Sequence, residues 1–173
     1  LLASIEKVSN DTYLKVFDTH IQDNDLKPID FNNLNSEIKI VLDHENFTFD
    51  SGIQIYENLQ KKSSDRYEYV FPYYNFNTSL SDNFLNGTIS LSSGGNNVLN
   101  NTNQLKSNIT NDIVYYGSDL ISNTGFKNNI TIDVKNLNSL GKNNSEYKSS
   151  PQIELMSLID LSTSLPLIKE DQV

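Results

Sequence analysis

The sequence predicts an all-β chain, an antiparallel up-and-down meander, on three observations. Apolar residues recur at every second position, helical periodicity of useful length is hard to find, and clusters of Asn, Asp, Ser and Gly punctuate the alternating runs. The 173 residues are enough for one ordinary domain, yet only 36% are hydrophobic and the mean hydropathy is −0.46. Any core must therefore be assembled thinly, from alternate residues of many strands.

Taken in order, the strands are expected near 1–8, 12–19, 36–43, 46–58, 66–79, 84–93, 104–121, 126–138 and 151–162. "LLASIEKV" reads as a strand in progress, and "TYLKVFDT" follows it after the turn "SND". In 36–43, Ile38, Ile40 and Leu42 alternate with Glu37, Lys39 and Val41. In 46–58, Phe47, Phe49, Ile53 and Ile55 alternate with Thr48, Asp50 and Gln54, and in 126–138 Ile130, Ile132 and Val134 alternate with Thr131, Asp133 and Lys135. Each of these strands has one apolar and one polar face.

The stretch "RYEYVFPYYNFN" at 66–77 breaks that rule. As an uninterrupted strand it points Tyr67, Tyr69, Phe71 and Tyr73 one way and Val70, Pro72, Tyr74 and Phe76 the other, so both faces are greasy. Pro72 cannot donate to a ladder and belongs at a bulge or an irregular register point.

The connections are expected to alternate in length. Those at 9–11, 43–46, 80–83 and 122–125 are short; those at 20–35, 59–65, 94–103 and 139–150 are long. A soluble sandwich has little reason to sort its loops this way, because both ends face the same solvent. An outer-membrane β-barrel has tight turns on its periplasmic side, longer loops outside, and strands of about ten residues alternating apolar and polar. The fold class expected is therefore a fragment of a large transmembrane outer-membrane β-barrel. A soluble secreted β-sheet adhesin or carbohydrate-binding module, and a generic outer-membrane channel, remain as alternatives. A parallel β-helix would need a coil-length repeat, and none is found.

Composition narrows the chemistry. A net charge of −9, with Arg66 the only arginine beside twelve lysines, argues against nucleic acid as a partner. The absence of cysteine removes disulfides, thiolate metal sites and thiol catalysis together. His20 and His44 stand in or beside connections without HxH or HExxH spacing. Asp23, Asp25 and Asp30 in "DNDLKPID" resemble a calcium loop, but Lys27 occupies its fifth position and no bidentate Glu lies at its twelfth. Eight Asn-X-Ser/Thr sequons, among them those at Asn46, Asn86, Asn108 and Asn129, follow from the abundance of 25 Asn and 21 Ser. "SSGGNN" at 92–97 reads as a flexible loop rather than a phosphate cradle, and no GxSxG elbow occurs. No catalytic, cofactor-binding or metal residue is assigned, no cofactor is expected, and the chain is not expected to be an enzyme. Aromatics such as Tyr13, Phe17, Phe84, Tyr115 and Tyr116 suit either an interfacial girdle or ordinary strand composition.

Four stretches carry a resemblance. "VSNDTYLKVFD" at 8–18, "YEYVFPYYNF" at 67–76, the pair "TNQLKSNITNDIVY" and "GFKNNITIDVKNLN", and "SLPLIKE" at 164–170 resemble, in order, barrel segments of the outer-membrane lipopolysaccharide-assembly family LptD (OstA, organic solvent tolerance protein), notably its alphaproteobacterial form. Val70, Phe71 and Pro72 stand where that family has Val, Leu and Pro. The resemblance implies that 1–173 is about nine strands of an incomplete C-terminal barrel domain, with the N-terminal periplasmic domain absent. It implies lipopolysaccharide transport and insertion into the outer leaflet of a Gram-negative outer membrane. The partners it implies are lipopolysaccharide, outer-membrane lipids, a lumen-plugging lipoprotein and a periplasmic bridge protein.

Overall fold

A computed structural model describes residues 1–20, 30–82 and 86–165. Its elements are β1 (Leu2–Ser4), α1 (Tyr13–Val16), β2 (Asn33–His44), β3 (Phe47–Asn58), β4 (Tyr67–Asp82), β5 (Gly87–Asn100), β6 (Gln104–Gly117), β7 (Leu120–Ile121), β8 (Lys127–Lys142) and β9 (Gln152–Ser164). Single 3-10 turns occur at Asp18–His20 and Ser63–Arg66. All nine strands belong to one antiparallel sheet, in which each strand from β1 to β5 pairs with the next and β6 pairs with β8. β7 extends the line of β6 along β8, and β9 lies on the other side of β8. β1 and β9 do not pair with each other, so the sheet is open.

Four expectations are corrected. Residues 12–19 form α1 and a 3-10 turn instead of a strand. The side chain of Asn10 accepts from the Thr12 amide and hydroxyl, both at 3.0 Å, and its carbonyl accepts from Tyr13 N–H, which starts a helical turn. That turn drops Leu14 onto Leu34 and Leu59, with Val8 and Phe31 packed around them. This is the one cluster of buried apolar residues found among the described residues, and the expected strand at 1–8 shrinks to β1 as the chain leaves for it.

The expected loop at 94–103 lies mostly inside β5. Gly95 belongs there because the ring of Tyr74, its direct partner across the ladder, occupies the space of a side chain: a Cβ on Gly95 would stand 2.8 Å from that ring. The true turn is 101–103, where Asn101 and Thr102 take φ of 49° and 54°. The expected strand 104–121 ends at Gly117 and resumes as β7.

Loop sorting holds only in part. One end of the sheet, called here the near end, carries connections 45–46, 83–86 and 118–126; the far end carries 5–32, 59–66, 101–103 and 143–151. Connections 45–46 and 83–86 are short and 5–32, 59–66 and 143–151 are longer, as expected. Connection 101–103 is short at the far end and 118–126 is long at the near end, so length does not alternate throughout.

Candidate functional site: the two faces of the sheet

Direct cross-strand partners share a face, so register alone sorts the side chains. One partner row runs Leu42, Phe49, Phe76, Ser93, Asn111, Asn136, Leu155. Every second residue away from this row lies on the same face. It includes Ile38 and Ile40 of β2, Ile53 and Ile55 of β3, Ile89 and Leu91 of β5, Ile113 and Tyr115 of β6, Ile130, Ile132 and Val134 of β8, and Ile159 and Leu161 of β9. Charge is confined to the rim of this apolar face, at positions such as Glu57 and Lys142. The opposite, polar face carries Glu37, Lys39, Asp50, Glu68, Asp112 and Lys135, among others.

Residues 66–77 are not greasy on both sides, which corrects the alternation expected for them. Val70 pairs with Gln54 and Val98, while Tyr73 pairs with Gly52 and Asn96. Phe71 and Pro72 together therefore stand opposite one residue on each flanking strand, and β4 holds one extra residue. The bulge resets the alternation: Tyr67, Tyr69, Phe71, Tyr74 and Phe76 fall on the apolar face, and Tyr73 joins Val70 and Asn75 on the polar one. The apolar face includes a groove of about 550 Å³ at the bulge, lined by Ile53, Ile55, Tyr69, Phe71, Asn97, Leu99 and Leu105.

The strands are staggered. The row from Leu42 to Leu155 lies two residues from the near end of β2 and nine residues from the near end of β9. Seven residues over six strand steps is about one residue per strand, the stagger of an eight-stranded, shear-eight barrel whose strands tilt by roughly 36°.

Polar groups on the apolar face satisfy one another. Tyr74 Oη lies 3.2 Å from Ser93 Oγ, which donates to Asn111 Oδ1 at 2.7 Å. Asn111 Nδ2 donates to Asn136 Oδ1 at 3.1 Å, and Asn136 Nδ2 donates to the Glu154 carbonyl at 3.2 Å. This chain of bonds runs across β4, β5, β6, β8 and β9 and gives each of these four side chains a partner.

The polar face is built for water. Tyr73 Oη and Gln54 Nε2 both donate to Glu37 Oε1, at 2.7 and 2.9 Å, and Tyr56 Oη donates to Gln54 Oε1 at 3.0 Å. Lys39 Nζ stands 3.7 Å from the other Glu37 oxygen. These groups border a concavity of about 680 Å³ reaching to Asn96 and Asn108. Among the described residues, the buried side-chain oxygens without a protein partner are Oδ1 of Asn35, Asn96, Asn100, Asp112 and Asp133, and all five belong to this face.

At the far end, Arg66 ties three segments together. Its Nε donates to Glu57 Oε1 at 2.6 Å and its Nη2 to Asp11 Oδ1 at 2.7 Å, while Tyr67 Oη donates to the same Glu57 oxygen at 3.0 Å. The guanidinium hydrogen bond holds the Asp11 carboxyl below the usual carboxylate range. At the near end Lys127 does the same for Asp119, at 2.7 Å. A lone arginine in a lysine-rich chain was the sequence signal for this clamp. The Glu37 network had none, because its members are 36 residues apart and only the sheet joins them.

The residues nominated from sequence do not converge. His20 Nδ1 meets the neighbouring Thr19 hydroxyl at 3.0 Å, and His44 stacks on Phe47 at 5.2 Å between ring centres. Asp30 accepts from Asn32 N–H and Asn33 Nδ2, capping its own turn; Asp23, Asp25 and Phe84 lie outside the described residues. Among the described residues no group of three His, Asp or Glu side chains could hold a metal. Asn129 Nδ2 donates to the Gly117 carbonyl, Asn108 Nδ2 lies 3.4 Å from Tyr147 Oη, Asn86 sits in the turn before β5 with φ 48°, and the Asn46 carbonyl accepts from Thr78. Tyr13, the first residue of α1, and Phe17, which caps its end, are ring partners 4.8 Å apart rather than the two ends of a strand. Tyr115 faces the apolar side and Tyr116 the polar side. Comparison of the chain with family models, with curated proteins and with solved structures gave no match.

Proposed function

We propose that the chain is a wall segment of an outer-membrane β-barrel that works in lipopolysaccharide transport and insertion, with its apolar face toward lipid and its polar face toward the lumen. The observation that carries the membrane part is a wide apolar face spread over seven staggered strands; its far-end corner at Leu34 and Ser36 is covered by Leu14 and Glu6, and its β9 side stays exposed. Leu161, Leu155 and Ile153 remain 73, 72 and 75% exposed. Strands of 12 to 16 residues exceed the span that a tilted strand needs in a bilayer, about 9–11 residues.

The cargo rests on the resemblance of four ordered stretches to the LptD family. The role is passage and support, not catalysis. The lumen side offers hydroxyls, amides and carboxylates in a hydrated wall, and among the described residues none of them is arranged as a nucleophile with its base. A photo-crosslinking residue placed at Tyr73, on the polar face, in cells making the complete protein tests this. Crosslinks to lipopolysaccharide from Tyr73, with phospholipid crosslinks from Ile132, support the reading. No lipopolysaccharide adduct from any polar-face position would refute the cargo. A complete protein that stays monodisperse without detergent would refute the membrane and favour the soluble adhesin.

A further inference from the structure

The two outer strands end the sheet differently. On one side β1 pairs only Leu2–Ser4 with Glu37–Lys39, and beyond it a side chain takes over. Glu6 Oε2 accepts from the Asn35 amide at 2.7 Å, and Ser36 Oγ bonds the Glu6 amide and carbonyl at 3.1 and 3.2 Å. A very short strand followed by a polar cover is one way natural sheets blunt an edge. β9 has no such device. It runs for 13 residues without Pro, Gly, Lys or Arg, and among the described residues it pairs only with β8.

Register tells which backbone groups β9 leaves bare. Ser118 N–H donates to the Asn86 carbonyl at 2.8 Å, so the bonded pairs between β5 and β6 fall on even-numbered residues. Bonded pairs alternate from one side of a strand to the other, and the pairings from β5 to β9 carry no shift. β9 therefore bonds β8 through Glu154, Met156, Leu158 and Asp160. The Gly141 amide, which bonds the Lys148 carbonyl on the β9 side of β8, has the same phase. Ile153, Leu155, Ser157, Ile159, Leu161 and Thr163 turn their N–H and C=O away from the sheet.

Side chains narrow what fits there. On the polar face, where β8 has Lys135 and Asp133, β9 places Met156 and Leu158 opposite them, 55 and 59% exposed. The exposed acids Glu154 and Asp160 flank this apolar pair on the same face. We infer that the sheet is continued at β9 by one more antiparallel strand, apolar on both faces, with basic residues opposite Glu154 and Asp160. An extended segment meets a row of bare amides and carbonyls with its own. Direct partners share a face, so its apolar side chains cover Met156 and Leu158 while its basic ones fix the register. A soluble sheet would leave the same edge bare, so this holds apart from the barrel-wall reading.

The full chain, folded in detergent, is titrated with the end-capped peptide TKVLTVIKT, whose lysines match the spacing of Glu154 and Asp160, and amide exchange is followed by NMR. Exchange is expected to slow at Leu155, Ser157 and Ile159, and to stay unchanged at Met156 and Leu158, which already bond β8. Affinity should fall roughly three- to tenfold in Glu154→Gln/Asp160→Asn. Ser157→Pro removes an outward N–H and no bond to β8, so strand content by circular dichroism should persist while peptide binding is lost. No slowing at the outward amides of the unmodified chain, or binding that survives Ser157→Pro, overturns the inference. Slow exchange at those amides without peptide, growing with protein concentration, gives the edge to a second copy and overturns the basic strand as its partner. None of these outcomes bears on whether the apolar face meets lipid, so the wall reading stands or falls separately.

Discussion

Deleting Pro72 should leave both faces of the sheet unchanged, whereas deleting Asn75, three residues on, should turn part of β4 over. Pro72 is the surplus residue of the bulge, so its loss sets Phe71 alone opposite Ile53 and Asn97 and keeps Tyr73 opposite Gly52 and Tyr74 opposite Ser51. The bonds from Ser51 Oγ to the Tyr73 carbonyl (2.7 Å), from Tyr73 to Glu37 and from Tyr74 to Ser93 all survive. The expected change is within about 1 kcal/mol, the scale of one ladder hydrogen bond gained or lost. Loss of Asn75 instead carries Phe76, Thr78 and Leu80 to the polar face. It breaks the Phe76–Phe47 ring contact at 6.1 Å, worth about 0.5–1.5 kcal/mol. It removes half the burial of a phenylalanine, about 1–1.5 kcal/mol. It also breaks exposed bonds from Thr78 to Asn46, Asn75 to Asp50 and Ser92 to Asn77, together about 1.5 kcal/mol. The total is about 3–5 kcal/mol, read as a shift in the urea midpoint of the detergent-folded chain followed by circular dichroism. Equal destabilisation by the two deletions would refute the assignment of Pro72 as the extra residue.

Three further outcomes are expected. Ile132→Arg should cost roughly 2–4 kcal/mol in a bilayer while Thr131→Arg costs little, measured by unfolding from vesicles; equal tolerance would contradict the facing of β8. Gly52→Ala should cost about 2–4 kcal/mol, because its Cβ would stand 2.5 Å from the Ile38 carbonyl and 3.0 Å from the Tyr73 ring, forcing Tyr73 off Glu37; in a Tyr73→Phe background the cost should shrink, and an unchanged cost would deny that coupling. The Asp11–Arg66 bond lowers the folded pKa of Asp11, so its contribution is present above the ordinary aspartate pKa and lost as pH falls through the lowered value; amide exchange at Leu14 should accelerate in that acid window, and Asp11→Asn should abolish the pH dependence.

Much of the sheet was legible because period two is a local property. Ile38, Ile40 and Leu42, or Ile130, Ile132 and Val134, declare their face within six residues, and the structure puts each set on the apolar side. What escaped depends on residues far apart. "TYLKVF" suits a strand or one helical turn equally, and the decision lies with Leu34 and Leu59, which receive Leu14. "SSGGNN" looks like a loop until Tyr74, on the neighbouring strand, is seen to need the room above Gly95. Pro72 advertised an irregularity, but only the pairing of Val70 and Tyr73 with both neighbours reveals that one residue is surplus and that the aromatics thereby gather on one side. The Glu37 network and the Arg66 clamp are likewise assembled by the fold from distant positions.

The central claim is that one face of this sheet meets lipid and the other meets water, with the phase broken once, at Pro72. The chain has no cysteine, so single cysteines at 69–76 and 130–135 can each carry an environment-sensitive dye in bilayers containing brominated lipid. The account predicts quenching at Ile130, Ile132 and Val134 but not at Thr131, Asp133 and Lys135. In β4 it predicts quenching at Tyr69, Phe71, Tyr74 and Phe76 but not at Val70, Tyr73 and Asn75. Uniform quenching, or an alternation that runs through Pro72 without a change of phase, would contradict it.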